Sequence, residues 1–241
     1  MATINDLYDD TVDEELVTWI KKFADPVQLL NDLSSLFEGL DTTTVLGEMD
    51  ESVVLNGPVY IGAGSVIHPH VTIDGPVIIG ENVSVRSHAQ IRNHAYLASG
   101  AVVGHSADIK NSFCLNGSKI QDGTFVGDSV LGVGARIGSG AILANRRFDQ
   151  KEIRYQDDAG RIVPSGREFF GAIIGMYSRI GANVTLSPGT LIGQHTWVAS
   201  GCVLRGRYGS DLFIAPPKME LVISSKERTS LRSGDGEDEH A

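Results

Sequence analysis

Between residues 61 and 115 an apolar residue falls at every sixth position: Ile61, Ile67, Ile73, Ile79, Val85, Ile91, Leu97, Val103, Ile109 and Leu115. Four residues after each comes something small or apolar, from Ser65, Val71 and Val77 through Ala101 and Ala107 to Phe113, and glycine often follows directly, as at Gly62, Gly80 and Gly104. Two five-residue steps then shift the phase to Ile120, Val126, Leu131, Ile137 and Leu143. After an interruption the rule resumes at Ile174, Ile180, Leu186, Ile192, Val198 and Leu204. An α-helix cannot keep such a stripe on one face, because a period of six drifts away from 3.6 within two turns. Short strands can, if each sends its apolar residue inward and then turns. Repeats of this length are the mark of a parallel β-helix.

Composition divides the chain near residue 50. The formal net charge of -10 lies wholly in the first 50 residues, and of 28 glycines only Gly39 and Gly47 fall there. The expected organisation is an acidic helical cap or connector over 1–50, a coil over 51–223 with an inserted loop at 146–173, and a disordered polar tail over 224–241. A neutral body with an acidic cap is a poor polyphosphate binder, so nucleic acid is not an expected partner. No apolar run reaches membrane-spanning length, and no charged-then-apolar leader opens the sequence. Cys114 and Cys202 can neither staple the fold nor build a zinc cluster, which fits a cytoplasmic location.

The acidic part reads as two helices. Thr11-Val-Asp-Glu14 has the form of a capping box, followed by Val12, Leu16, Ile20 and Phe23 at helical spacing. Asp25-Pro26 supplies an N-cap and first position for a second helix, carrying Val27, Leu30, Leu33 and Phe37 inward and closed by Gly39. Two such helices cannot stand alone, so their apolar faces must dock on the end or side of the coil.

The hexads resemble those of left-handed β-helix acyltransferases. The resemblance is closest to the acetyltransferase half of bifunctional sugar-1-phosphate nucleotidylyltransferases of the glucosamine-1-phosphate acetyltransferase type. It rests on Gln90-Ile-Arg92, on Gly104 to Lys110, and on Gly117-Ser-Lys-Ile-Gln-Asp-Gly-Thr-Phe-Val-Gly-Asp128. It continues through Ala144-Asn-Arg-Arg-Phe-Asp149 with Lys151 and Ser165-Gly-Arg167, while Asp25 to Asn31 resembles the family's helical connector. No pyrophosphorylase signature accompanies these motifs. The resemblance implies a mainly β, left-handed parallel β-helix with a short α-helical cap, assembled as a homotrimer with acetyl-CoA between neighbouring coils. It further implies acyl transfer to an amino or hydroxyl group of a phosphorylated or nucleotide-linked sugar.

Carried over position by position, Arg92 and Lys110 match the family's phosphate-binding residues, and Asn145 and Lys151 those around the sugar and acyl group. Ala199 and Ser200 are the expected contacts for acetyl-CoA. Each of the four binding residues also reads as an ordinary solvated turn residue. The family's catalytic His falls on Asp122, its substrate-contacting Tyr on Phe125, and a sugar-binding Asn on Arg136. An aspartate is a poor base for an amine without strong desolvation. The period offers a repair, since His105 and Asp122 hold equivalent hexad positions one coil apart, and adjacent strands lie about 4.8 Å apart. They form a candidate catalytic pair with His105 as base, or His105 is one exposed turn histidine among several. The alternative function is a degenerate relative that binds sugar phosphate without turnover.

His70 and His88 should also stack, with His68 and His94 nearby; stacked turn histidines without a metal are expected, because the paired spacing of β-helix zinc enzymes is missing. Within the insertion, Glu152–Tyr155 and Arg161–Val163 flank an Asp-Ala-Gly turn and suggest a projecting hairpin.

Overall fold

The structure is a computed structural model, and residues 3–217 are described; the tail expected over 224–241 lies outside them. Three parallel sheets of nine, nine and eight strands wrap one apolar core. In each sheet a strand pairs with the strand one coil earlier and one coil later, as Val77–Ile79 does with Val59–Ile61 and Ala95–Leu97. The chain is a left-handed parallel β-helix. Below, the first sheet contains Val77–Ile79, the second Ser84–Val85 and the third Gln90–Arg92. The hexad residues from Ile61 to Ile109 are buried in a single column of aliphatic side chains.

The phase shift comes one hexad earlier than the sequence pattern suggests. Cys114, not Leu115, continues the inward column, paired in register with Leu97 and Leu131. Leu115 and Phe113 instead turn outward and are fully buried in a second cluster. They are apolar because something covers that face.

The covering element is the N-terminal segment. Helix α1 spans Glu14–Ile20 and helix α2 spans Pro26–Asn31, followed by a 3-10 helix over Leu33–Phe37. The expected capping box at Thr11 does not form. Both the Thr11 amide and hydroxyl donate to Asp9 Oδ1, at 3.0 and 2.6 Å, so Asp13 becomes the N-cap and accepts from Glu15 N at 2.8 Å. Asp25 and Pro26 act as expected, with Asp25 accepting from Val27 N at 2.7 Å. The second helix stops short of Gly39 because Asp32 and Ser35 bond to each other at 2.9 Å, a local contact that favours a tight turn over continued helix.

Trp19, Leu29, Leu30, Leu33 and Phe37 bury themselves against Phe113, Leu115, Val130, Ile173 and Leu191 on the outer face of the first sheet. Trp19 and Phe113 have ring centroids 5.6 Å apart. The segment therefore lies along the flank of the middle coils. Each such large side chain contributes roughly 1.5–3 kcal/mol when removed from water. The insertion folds as an antiparallel pair, Arg154–Gln156 with Ile162–Pro164, and leans on the same segment through a 2.8 Å bond from Tyr155 Oη to Asp25 Oδ2.

Cys114 offers a check on the core. It has no exposed surface, and burial pushes its thiol up to about 12. Only the thiolate reacts readily. In native protein near pH ~8, where an ordinary thiol is partly ionised, Cys114 is expected to resist an aromatic disulfide reagent and to react only on unfolding. Rapid native labelling, read by mass spectrometry, would show that the column opens.

Candidate functional site

The third sheet carries the polar cluster that distinguishes this coil from a plain solenoid. Arg92 pairs in register with Lys110, and Lys110 with Gly127, so stacking puts the two cations on adjacent strands. Like charges opposite each other are unfavourable unless acids intervene. Two do. Arg92 makes a bidentate contact with Asp108, Nε and a terminal nitrogen donating at 3.1 and 2.9 Å. Lys110 Nζ donates to Asp128 Oδ2 at 3.1 Å.

Asp128 is the hub. Its side chain is 2% exposed, and it holds a positive φ of 47° in a hexad turn, a conformation that aspartate tolerates better than most residues. Its Oδ2 also accepts from Asn145 Nδ2 at 2.7 Å, and its Oδ1 from Asn111 Nδ2 at 2.7 Å and from Arg167 at 3.2 Å. Arg167 reaches on to the carbonyls of Leu30 at 2.8 Å and Phe169 at 2.8 Å, so one guanidinium joins the helical segment, the insertion and the coil. Lys110 Nζ lies 4.3 Å from the Phe169 ring centroid, and the Arg146 guanidinium 5.1 Å from it. The ring shields one side of the cluster. Lysine and arginine carry three and five donors, so Lys110 and Arg92 keep donors for a further anion after these contacts.

The expected residues are thus gathered unequally. Lys110 and Asn145 meet on Asp128, and Arg92 is their neighbour in the ladder. Lys151 is exposed and forms no salt bridge among the described residues; its backbone amide donates to Asp149 at 3.4 Å. Asp149 is held well below the usual carboxylate range, chiefly by its hydrogen bond with Arg147. Ala199 and Ser200 follow Trp197–Val198 in the second sheet, several coils away, with Ala199 half-buried and Ser200 exposed.

His105 and Asp122 do stack on adjacent coils. The contact runs through the backbone: Asp122 Oδ1 accepts from the His105 amide at 2.9 Å, while the imidazole meets His88 edge-on at 5.3 Å. Gly104 permits this approach, since a Cβ there would stand 2.5 Å from the Asp122 amide nitrogen. His70 and His88 stack at 4.9 Å as the spacing implies. Among the described residues, no group of three or more His, Cys, Asp or Glu is placed to hold a metal ion.

Two features were missed from the sequence. Asp128 and Arg167 stood inside the quoted motifs without a role; the available signal was an aspartate in a turn position that glycine or asparagine usually fills. The other is an outward ladder on the second sheet, in which Lys119, Arg136, Arg179, Trp197 and Phe213 follow one another in register. Arg179 sits 5.4 Å over the Trp197 ring, and a groove of about 320 Å³ lies against Arg136, Arg179, Trp197 and Phe213. Among the described residues, none of its three cations forms a salt bridge, although they stand on successive strands.

Residues 73–159 match the family model described as the GMPPB C-terminal domain. The "Bifunctional protein GlmU" of Methanococcus aeolicus is 32% identical over 207 residues, covering 82% of this chain and 50% of that protein. Over those residues the chain is similar to that bifunctional protein. The "Bifunctional sugar-1-phosphate nucleotidylyltransferase/acetyltransferase" of Sulfurisphaera tokodaii is 40% identical over 98 residues, 41% of this chain and 24% of that protein. The chain spans about half the length of the first of these relatives and less of the second. Among solved structures, the polySia-specific acetyltransferase NeuO covers 79% of this chain and 93% of its own, with 14% identity and a TM-score of 0.44. No helix among the described residues is long and apolar enough to cross a membrane.

Proposed function

We propose that this chain transfers an acetyl group from acetyl-CoA to an amino or hydroxyl group of a phosphorylated or nucleotide-linked sugar. The observation that carries this reading is the cluster on Asp128, which holds Lys110 and Asn145 together beside Arg92. An anion placed against Arg92 and Lys110 would meet donors already fixed by Asp108 and Asp128, so little ordering cost remains. Arginine adds the planar geometry that suits phosphate. Asn145 then faces the sugar, and Lys151, on its exposed loop, is the residue free to move onto the acyl group. The homologues named above supply the class of reaction.

In this reading His105 takes the proton from the attacking nitrogen or oxygen. The new bond forms to the thioester carbonyl carbon, the C–S bond breaks, and the CoA thiolate leaves. Asp122 holds the backbone that carries His105. Ala199 and Ser200 contact acetyl-CoA, with the Arg136 and Arg179 ladder supplying charge for its phosphates and Trp197 a face for its ring. The assembly is a homotrimer in the cytoplasm, and the chemistry needs no metal.

A second reading, sugar-phosphate binding without turnover, is favoured by one observation: aspartate stands at 122, where the resembling family has its catalytic histidine, and its carboxylate is engaged by a backbone amide. Thiol release from acetyl-CoA across a panel of amino-sugar phosphates and nucleotide sugars separates the two, paired with calorimetry for acetyl-CoA. Turnover is the expected result. Binding without turnover would support the second reading, and absence of CoA binding would overturn the transferase.

A further inference from the structure

The turns joining the second sheet to the third hold a groove that the proposed reaction does not use in full. It measures about 420 Å³ and is lined by His68, Ser84, Arg86, Ser87 and His105. Stacking builds it. The His68 amide donates to Val85 O and the Arg86 amide to Val103 O, which sets His68, Arg86 and Gly104 one above another on successive coils. The Ser106 amide donates to Ser87 O and the Gly123 amide to His105 O, which sets Ser87, His105 and Asp122 in the next column.

The permanent charge in this groove has no acid partner among the described residues. Arg86 is exposed and forms no salt bridge among the described residues, and the hydroxyls of Ser84 and Ser87 bond to no described residue. Four acids come near, and two are turned to other donors. Asp50, one coil below His68, accepts from the Ser52 amide at 2.9 Å and hydroxyl at 2.6 Å. Those bonds, with a smaller contribution from His70 and His68, hold its carboxyl below the ordinary value. Asp122 accepts from the His105 amide. Glu48 shares an adjoining groove with His68, and Glu51 follows Asp50 on the same turn. Beyond the groove, the His88 ring meets both His70 and His105, at 4.9 and 5.3 Å between centroids.

We propose that the groove is a binding site for a tetrahedral oxyanion, the phosphoryl group of a small metabolite or free phosphate. Arg86 supplies the permanent charge, and His68, His105, Ser84 and Ser87 supply further donors. The groove shares His105 with the proposed reaction, while Arg92 and Lys110 lie at the far end of the third-sheet strands.

The test follows the imidazole resonances of the full chain during titration with inorganic sulfate. Those of His68 and His105 are expected to shift saturably. Arg86→Gln, at an exposed position, is expected to weaken sulfate about tenfold or more through loss of one charge-assisted contact while the rest of the spectrum is retained. Parallel titrations with inorganic phosphate and a hexose 1-phosphate identify the source: tighter binding of the hexose 1-phosphate supports a metabolite, and equal binding supports the free anion. Absence of a saturable shift, or sulfate affinity unchanged in Arg86→Gln, would overturn the site.

Discussion

Asp128→Ala is expected to destabilise the chain by about 3–5 kcal/mol, the usual cost of removing one partner from a buried ion pair. The size follows from what the carboxylate holds. Lys110 and Arg167 are 21% and 17% exposed, so neither charge is freely solvated, and both would lose their acid together. Asn111 and Asn145 would lose their acceptor as well. The Arg167 link from the coil to the Leu30 carbonyl would be left anchored at one end only, loosening the helical segment. Urea unfolding with an unchanged slope is the measurement. Asp128→Asn keeps an acceptor but presents an amide to Lys110, so it should fall between wild type and alanine. A loss below about 1 kcal/mol, the scale of an exposed pair, would mean that the two cations find other partners and that Asp128 does not organise the cluster.

Replacing His105 by alanine is expected to lower acetyl transfer by about 10²–10⁴-fold, the range associated with a positioned general base. His105 is exposed, so folding should be unaffected, and acetyl-CoA affinity by calorimetry should stay within about twofold, since no CoA contact is assigned to it. That separation of turnover from binding distinguishes a base from a structural residue. His105 is the imidazole nearest in the repeat to Asp122, and Asp122 fixes its backbone. Full turnover in His105→Ala would remove it from the mechanism. Full turnover with Asp122→Ala as well would show that neither residue carries the proton.

Much of this molecule can be read along the chain, residue by residue. The inward column from Ile61 to Ile109, the stacked His70 and His88, and the adjacency of His105 to Asp122 all follow from counting, because one coil is three hexads and each coil repeats the last. The count goes wrong where the fold makes an exception. Leu115 continues the arithmetic, yet Cys114 takes the inward position, because Leu115 and Phe113 have a second apolar surface to meet. Thr11 matches a capping pattern, yet Asp9 captures it first. In both places a partner decided between two local options.

The candidate site divides along the same line. Arg92 and Lys110 share a strand position one coil apart, so their pairing is visible in the spacing. Asp128 and Asn145 stand 17 residues apart, one coil with a single deletion, so the repeat stacks them; Arg167 arrives from the far side of the insertion, and no period connects it to either. The Arg136–Arg179 step likewise crosses the insertion, which hides a cross-strand pair of like charges. The sequence alone determined the coil, because a hexad satisfies its strand, its turn and its inward contact within a few residues. Tertiary structure alone decided the seat of the acidic helices and the link from Arg167 to the buried Asp128. Those depend on side chains far apart in the chain meeting at one buried point, where burial makes an unpaired charge too costly to leave and so selects the partners.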